Sequence, residues 1–157
     1  MKTVVLGLGN TLLGDDGVGI YVLNELQSNW QDHGNKNSIE FVDGGTLSFT
    51  LTETLYGADN LIVIDAAQLN ANPGEVKVFT DEDMDTFVRT SKCSSVHEVS
   101  LSELLDMARL LDTLPTRRAL IGVQPEIVDW ADQPTEKVKK AIPIMCQEAH
   151  TLLKAWH

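Results

Sequence analysis

The sequence predicts an α/β fold, a three-layer α/β/α sandwich around a mostly parallel, five-stranded twisted sheet. Short apolar segments alternate along the chain with longer segments whose apolar residues recur at helical spacing. This alternation is typical of a parallel sheet covered by helices on both faces. The 157 residues contain no internal repeat, low-complexity tract or proline-rich linker. We therefore expect a single domain that spans residues 1–157.

The five predicted strands are short runs of β-branched and aliphatic residues, most of them closed by a turn signal. They cover residues 3–8, 39–42, 61–64, 76–79 and 119–123. The third strand is apolar at every position, which predicts burial on both faces of the sheet. The fourth is expected to be half-exposed.

Three amphipathic helices are predicted from apolar residues at helical spacing. The first covers residues 18–30, and the second is opened by a capping box of Ser100 and Glu103. The last runs from about Thr135 onward, and we expect a kink at Pro143 because proline lacks the backbone donor. No helix is predicted between the fourth strand and Ser100.

The charge of the chain restricts its partners. Twelve Lys and Arg residues against 23 Asp and Glu residues give a formal net charge of −11, which opposes binding to nucleic acid or anionic lipid. No apolar run approaches the roughly 18 residues of a membrane span. Cys93 and Cys146 form no C-x-x-C pair, as expected in a reducing cytosol. We expect a cytoplasmic protein that binds neither nucleic acid nor membranes.

Glycines and polar residues follow the predicted strands at their carboxyl ends, where ligands bind in open α/β sheets. The first strand is followed by Gly9-Asn10 and Gly14-Asp15-Asp16-Gly17, the second by Asp43-Gly44-Gly45-Thr46, the third by Asp65 and the last by Gln124. This pattern predicts a polar pocket in which the backbone lies close to its ligand.

Asp16, Asp65 and His97 are the candidate metal ligands. Asp65 leaves an apolar strand, and a desolvated carboxylate there needs a partner such as a cation. His97 is the only histidine in a loop ahead of a predicted helix. Two carboxylates and one imidazole suit nickel, zinc, manganese or iron(II), and three protein ligands leave positions open for water or substrate.

Each candidate also has a structural alternative that the spacing leaves open. Asp16 is positioned to cap the first helix, with Asp15 as the rival cap. Asp65 suits an Asx turn, and His97 suits a loop or capping position. Cys93 and His97 have the spacing of half a zinc site, but no second pair completes it.

Other catalytic and binding motifs are absent or incomplete. The sequence has no G-x-S-x-G nucleophile elbow, and His97-Glu98 lacks the second histidine of a zincin helix. The opening glycines do not match G-x-G-x-x-G, because the third glycine comes too late, although Asp43 partly satisfies the dinucleotide pattern.

The motifs resemble those of the endopeptidases that mature nickel–iron hydrogenases, in the same order and over essentially the whole chain. The matching segments are VLGLGNTLLGDDGVG, VDGGT, LIVIDAA, SSVHE and LIGVQPE. The first is the most specific, because it combines G-x-G-N, an apolar pair and D-D-G-x-G ahead of a helix.

The resemblance implies an aspartyl-type endopeptidase that removes the C-terminal extension of the hydrogenase large-subunit precursor once nickel is installed. Nickel is then expected to arrive on the substrate rather than as a permanent cofactor. The positions that bind metal in the family match Asp16, Asp65 and His97, which are also the expected catalytic residues. Some members have glutamate at the position of Asp16, and the shorter side chain changes the reach to the ion.

A second group of residues is expected to contact the substrate or to support the ligands. It consists of Asn10, Asp43, Gly44, Gly45, Thr46 and Gln124. Attack on the peptide bond is assisted by the metal, which polarises the carbonyl or lowers the pKa of a water, or by Asp16 or Asp65 acting as general base.

Two other functions stay open at this point. The ligand set also suits a metal-binding module or metallochaperone that docks on the immature large subunit without cutting it. Peptidyl-tRNA hydrolases share the opening G-L-G-N, but their catalytic histidine has no counterpart in residues 17–21, and a net charge of −11 opposes tRNA binding.

Overall fold

The computed structural model of the chain describes residues 1–30, 38–45, 50–90 and 101–157. The strands are β1 (Lys2–Leu8), β2 (Ser38–Gly45), β3 (Asn60–Ala66), β4 (Val76–Thr80) and β5 (Arg117–Val123). The α-helices are α1 (Val18–Asn29), α2 (Leu51–Leu55), α3 (Asp81–Thr90), α4 (Leu101–Leu110), α5 (Glu136–Lys139) and α6 (Ile142–Trp156), and a 3-10 helix covers Gly14–Gly17.

The five strands form one sheet in the order β2-β1-β3-β5-β4. Strand β1 pairs in parallel with β2 and β3, and β3 pairs in parallel with β5. Strand β4 is antiparallel to β5 and lies at the edge, where Val76, Val78 and Phe79 are partly buried and Lys77 and Thr80 are exposed. The predicted mostly parallel, five-stranded sheet and the half-exposed fourth strand are confirmed.

Alternate residues of each strand point to opposite faces of the sheet and form two separate cores. On β3, Leu61 and Val63 pack with apolar residues of α2, α3 and α4. Ile62 and Ile64 pack on the other face with residues of α1, α5 and α6. Since all four side chains are fully buried, the structure has the three layers that the sequence predicts.

Strand order places a crevice at the end of β1. The chain goes from β1 to β2 on one side and then returns to β3 on the other side of β1. Ligands of open α/β sheets bind where strand order reverses in this way, at the carboxyl ends of the strands. The segment after Leu8 and the end of β3 meet at this point.

Two helical predictions are wrong. Helix α3 was not predicted, because only Met84 and Val88 are buried in an otherwise polar segment. The predicted C-terminal helix is two helices, α5 and α6. Pro143 lies in the first turn of α6, where a missing N–H costs no hydrogen bond, so it helps to start a helix rather than kinking one.

Other helical features differ from the prediction in smaller ways. The short helix α2 was not predicted either. Helix α4 begins at Leu101 as expected, whereas Ser100 of the proposed capping box lies outside the described residues. No helix of the described segments is long and apolar enough to cross a bilayer.

Candidate metal-binding and catalytic site

The turn between β1 and α1 fixes the carboxylate of Asp16. Gly9 has a φ of +127°, and a Cβ atom there would lie 1.9 Å from the carbonyl oxygen of Asp16. Only glycine therefore permits the turn to close so tightly. The backbone N–H of Asn10 donates to Oδ2 of Asp16 at 2.9 Å, and the Asp16 side chain is buried.

Helix α1 lies directly against the ends of β1 and β3 because residue 19 is glycine. A Cβ atom at Gly19 would lie 2.2 Å from the carbonyl oxygen of Ile64 and 2.4 Å from that of Leu8. Any other residue would push the helix away from the sheet. Since Ile64 precedes Asp65, this contact brings the Asp16 turn to the strand end that carries Asp65.

Asp65 has the electrostatic properties of a carboxylate that lacks a counter-ion. Its Oδ1 accepts a hydrogen bond from the backbone N–H of Ala66 at 2.8 Å. Desolvation by the surrounding protein, and then the nearby Asp16 carboxylate, raise the pKa of Asp65 well above its usual value. Within the described segments, neither aspartate forms an ion pair. This pair of carboxylates is suited to a cation.

The structural alternatives for these two residues do not hold. Helix α1 is preceded by Gly17 and the 3-10 helix by Leu13, neither with a side-chain cap. The Asp16 carboxylate instead accepts a hydrogen bond from the backbone N–H of Asn10, in the turn that precedes it. The Asp65 carboxylate accepts a hydrogen bond from the N–H of the next residue, Ala66. In an Asx turn it would accept from the N–H of the residue two positions further along the chain.

Asp15 has a structural function that the sequence did not indicate. Its carboxylate is fully buried, and Oδ2 accepts from the backbone N–H groups of Glu126 and Ile127 at 2.8 and 3.0 Å. Oδ1 accepts from the N–H of Thr135 at 2.7 Å, and the Thr135 hydroxyl lies within 3.1 Å of both oxygens. Asp15 thus ties the 3-10 helix to both ends of the segment between β5 and α5.

Gln124 holds the segment that follows Asp65. Its Oε1 accepts from the backbone N–H of Leu69 at 2.7 Å, and its Nε2 donates to Oε1 of Gln68 at 3.0 Å. Gln124 is buried at the carboxyl end of β5, next to β3. These contacts hold Gln68 and Leu69 in place, and the expected role of Gln124 at the site stays a prediction.

The end of β2 is tied to the Asp16 turn. Oδ1 of the exposed Asp43 accepts from the N–H of Gly45, and the carbonyl of Gly45 accepts from the N–H of Gly9, both at 2.9 Å. Gly45 has a φ of +48°, and Gly44 packs close to the side chain of Leu8. Asp43, Gly44 and Gly45 therefore lie beside the turn that begins at Asn10.

Three residues of interest are not placed. His97, Cys93 and Thr46 lie outside the described residues. Within residues 1–30, 38–45, 50–90 and 101–157, no three acidic, histidine or cysteine side chains form a metal-binding cluster. The structure thus brings Asp16 and Asp65 together, and the binding of a metal by these two residues and His97 stays a prediction.

Cys146 is unsuited to act as a nucleophile. Burial, together with a contact from its thiol to the Glu25 carboxylate at 3.3 Å, raises its pKa to about 12. The reactive form of cysteine is the thiolate, which is almost unpopulated at neutral pH with this pKa.

Comparison with known proteins identifies similar sequences and structures. A model of the hydrogenase maturation protease family matches residues 20–152. The hydrogenase expression/formation protein HupD of Rhizobium leguminosarum bv. viciae is 31% identical over 156 residues, which are 99% of this chain and 75% of that protein. The hydrogenase 2 maturation protease of Escherichia coli K12 is 32% identical over 130 residues, 82% of this chain and 76% of that protein.

The fold agrees with solved structures of the same kind. The hydrogenase maturating endopeptidase HybD from E. coli superposes with a TM-score of 0.88 at 27% sequence identity, and the match covers 99% of this chain and 93% of that chain. A solution structure of an endopeptidase from E. coli gives a TM-score of 0.86 at 26% identity, with the same coverage.

Proposed function

Because this chain belongs to the hydrogenase maturation protease family, we propose that it removes the C-terminal extension of a hydrogenase large-subunit precursor after nickel has been inserted. The observation that carries the proposal is the pair formed by Asp16 and Asp65 at the carboxyl ends of the parallel strands, with mutual repulsion and no cationic partner in the described segments. We propose the cytoplasm as the place of processing.

Nickel enters this proposal as part of the substrate. A divalent cation stabilises two neighbouring carboxylates, and an imidazole from His97 would complete a set of oxygen and nitrogen ligands suited to nickel. Nickel held by these ligands supplies Lewis-acid polarisation of the peptide carbonyl and lowers the pKa of water that it coordinates.

The chain's own residues position the reaction. The N–H of Asn10 holds the carboxylate of Asp16 in place, so that Asp16 would be positioned to bind the metal. Asp65 supplies the second carboxylate of the site, and either carboxylate is a candidate general base. We assign the proton from the attacking water to one of these two carboxylates.

The requirement for nickel follows from the same electrostatics. Without the cation, Asp16 and Asp65 repel each other and make no ionic link to the precursor. With the cation, the precursor contributes the charge that the site lacks. Cleavage then waits for correct metal loading.

Processing of purified precursor tests the proposal. The wild-type protein should shorten nickel-loaded precursor on a denaturing gel and leave nickel-free precursor intact. Equal cleavage of both forms would contradict the dependence on nickel. A precursor that is bound but keeps its length would favour the non-catalytic metal-binding alternative.

Single substitutions test the three ligands. Asp16→Ala, Asp65→Ala and His97→Ala should each abolish processing while circular dichroism shows an intact fold. Asp106→Ala, at an exposed aspartate of α4, is the matched control and should process normally. Full activity in any two of the three ligand variants would exclude the three-ligand site.

A further inference from the structure

Four large apolar side chains lie exposed on two segments that touch each other. We name them the apolar rim: Leu12, Ile127, Val128 and Trp130, which are 60%, 55%, 51% and 75% exposed. Among the described residues, five other large apolar side chains are more than half exposed, but they lie on other segments: Met1, Tyr56, Leu110, Leu111 and Ile144. A group of exposed apolar side chains on one surface is typical of an interaction site.

Backbone pairing places the two parts of the rim side by side. The N–H of Ala131 donates to the carbonyl of Leu12 at 3.0 Å, and the N–H of Gly14 donates to the carbonyl of Ala131 at 3.2 Å. These bonds form a parallel bridge between Leu13 and Ala131. Leu12 and Trp130 each directly precede a residue of this bridge, so the two segments hold them near each other.

The fold holds the rim in this exposed position. Asp15 accepts from the N–H groups of Glu126 and Ile127 at one end of the second segment, and from the N–H of Thr135 at the other. The Tyr21 hydroxyl donates to the carbonyl of Asp132 at 3.0 Å. Exposure of the apolar side chains is therefore built into the structure.

The rim is continuous with the candidate site. Leu12 belongs to the same turn as Asn10 and Asp16, whose carboxylate is held by the N–H of Asn10. Asp15, adjacent to Asp16, anchors the segment that carries the other three rim residues. A polypeptide bound across Asp16 and Asp65 would therefore pass next to the rim.

We infer that the apolar rim binds an apolar segment of the precursor polypeptide next to the bond that is cut. The inference rests on the proposed function, since a protease must hold the chain on at least one side of that bond. Burial of aromatic side chains supplies much of the affinity in protein interfaces.

Kinetics of precursor cleavage test the rim. Trp130→Ala should raise KM about 10-fold with kcat unchanged, because the contact is the same in the bound substrate and in the transition state. Leu12→Ala should raise KM by a smaller factor. The matched control is Leu110→Ala. Leu110 is the last residue of α4, in the part of the chain that leads to the start of β5, and it is 80% exposed. This substitution should leave KM unchanged.

Fluorescence in a cleavage-deficient background separates binding from catalysis. In Asp65→Asn, addition of nickel-loaded precursor should shift the Trp130 emission to shorter wavelength. Trp130→Phe in the same background supplies the signal of Trp30, Trp156 and the precursor for subtraction. The same shift should appear with the isolated C-terminal part of the precursor if the rim binds next to the cut.

The outcomes separate this inference from the proposed function. An unchanged KM in Trp130→Ala, with normal cleavage by the wild type, overturns the inference alone. The inference is also overturned if Trp130→Ala converts a dimer to a monomer without an effect on KM. That result would assign the rim to contact with a second copy of the chain. If the wild type fails to cleave the precursor, the proposed function is wrong. In that case, a shift of the Trp130 emission on addition of the precursor would still support the rim as a docking surface. The absence of a shift would overturn the proposed function and the inference about the rim together.

Discussion

Asp65 is a residue in which activity and stability oppose each other. Its charged form is desolvated and repelled by Asp16, and the charge therefore costs free energy of folding. Functional sites commonly carry such costs.

We predict that Asp65→Asn stabilises the metal-free protein by about 1 kcal/mol at neutral pH and abolishes processing. The amide keeps an oxygen for the Ala66 N–H but removes the charge. Because the folded pKa is raised, the gain should appear above the usual value of 3.8 and vanish in acid, where Asp65 is protonated in both states. Urea unfolding at several pH values measures it. The exposed Asp132→Asn should show no gain, and a destabilised Asp65→Asn would contradict the electrostatic argument.

Single residues of the site differ in how far the sequence could identify them. The sequence predicts Asp65 from its position at the end of an apolar strand, and Asp16 from its place among the glycines and acidic residues that follow the first strand. For Asp15 the sequence indicates only a rival helix cap, since its hydrogen-bond partners lie 111, 112 and 120 residues further along the chain. No local pattern indicates such a contact.

At the scale of elements, Asp15 joins the 3-10 helix to the segment between β5 and α5. Its buried carboxylate accepts hydrogen bonds from three backbone N–H groups and is not part of an ion pair in the described residues. Bonds to a charged acceptor are stronger than neutral ones.

We predict that Asp15→Asn lowers the free energy of unfolding by about 3 kcal/mol, since it places an amide donor among backbone donors and leaves at least one of them unsatisfied. Thr135→Val, which removes only the hydroxyl, should cost about 1 kcal/mol. Denaturant unfolding gives both values. Hydrogen exchange at Glu126 and Ile127 should also become faster in Asp15→Asn. If Asp15→Asn lost no more stability than Thr135→Val, the argument that the Asp15 carboxylate joins these elements would be contradicted.

A buried ion pair joins α3 to β5. Arg118 donates from Nε and Nη2 to the two oxygens of Asp85 at 2.9 and 2.5 Å, and both side chains are mostly buried. The hydrogen bonds from Arg118 lower the pKa of Asp85 below its usual 3.8, while burial acts in the opposite direction. A lowered folded pKa means that the ionised pair stabilises the fold above pH 3.8.

We predict that this contribution is lost as the pH falls from 3.8 toward the lower pKa of the folded state. Asp85→Asn should therefore flatten the acid limb of the curve of stability against pH and cost about 3 kcal/mol at neutral pH, because it leaves Arg118 unpaired. Asp106→Asn, at an exposed ion pair with Arg109, should change neither the acid limb nor the free energy of unfolding at neutral pH. Parallel acid limbs for wild type and Asp85→Asn would contradict this assignment.

Elements were predicted where apolar periodicity is strong. The five strands and α1 have it, because each packs apolar residues against one or both cores. Helix α3 lacks it: three acidic residues in its first turn and Arg89 in its last suit the helix dipole, but only Met84 and Val88 are buried. The break between α5 and α6 was missed because apolar residues continue at helical spacing across it.

At the scale of the whole molecule, strand order explains why distant residues meet. The turn after β1 and the end of β3 lie at the reversal of strand order, and the end of β5 lies next to β3. Asp16, Asp65 and Gln124 thus share one edge of the sheet. The fold class was predictable because alternation of strands and helices sets the architecture, and the carboxyl ends of parallel strands share an edge.

Convergence of His97 with the two aspartates depends on the path of residues 91–100, which neither spacing nor periodicity determines. It is the central claim of the proposed mechanism. It requires an imidazole, 32 residues beyond Asp65 in the sequence, to reach the same crevice.

A crystal structure of the protein soaked with nickel tests this claim most directly. We predict one ion bound to a carboxylate oxygen of Asp16, one of Asp65 and an imidazole nitrogen of His97, each at about 2.0–2.2 Å. An ion that binds elsewhere, or a His97 that lies too far from both aspartates to share an ion with them, would contradict the account.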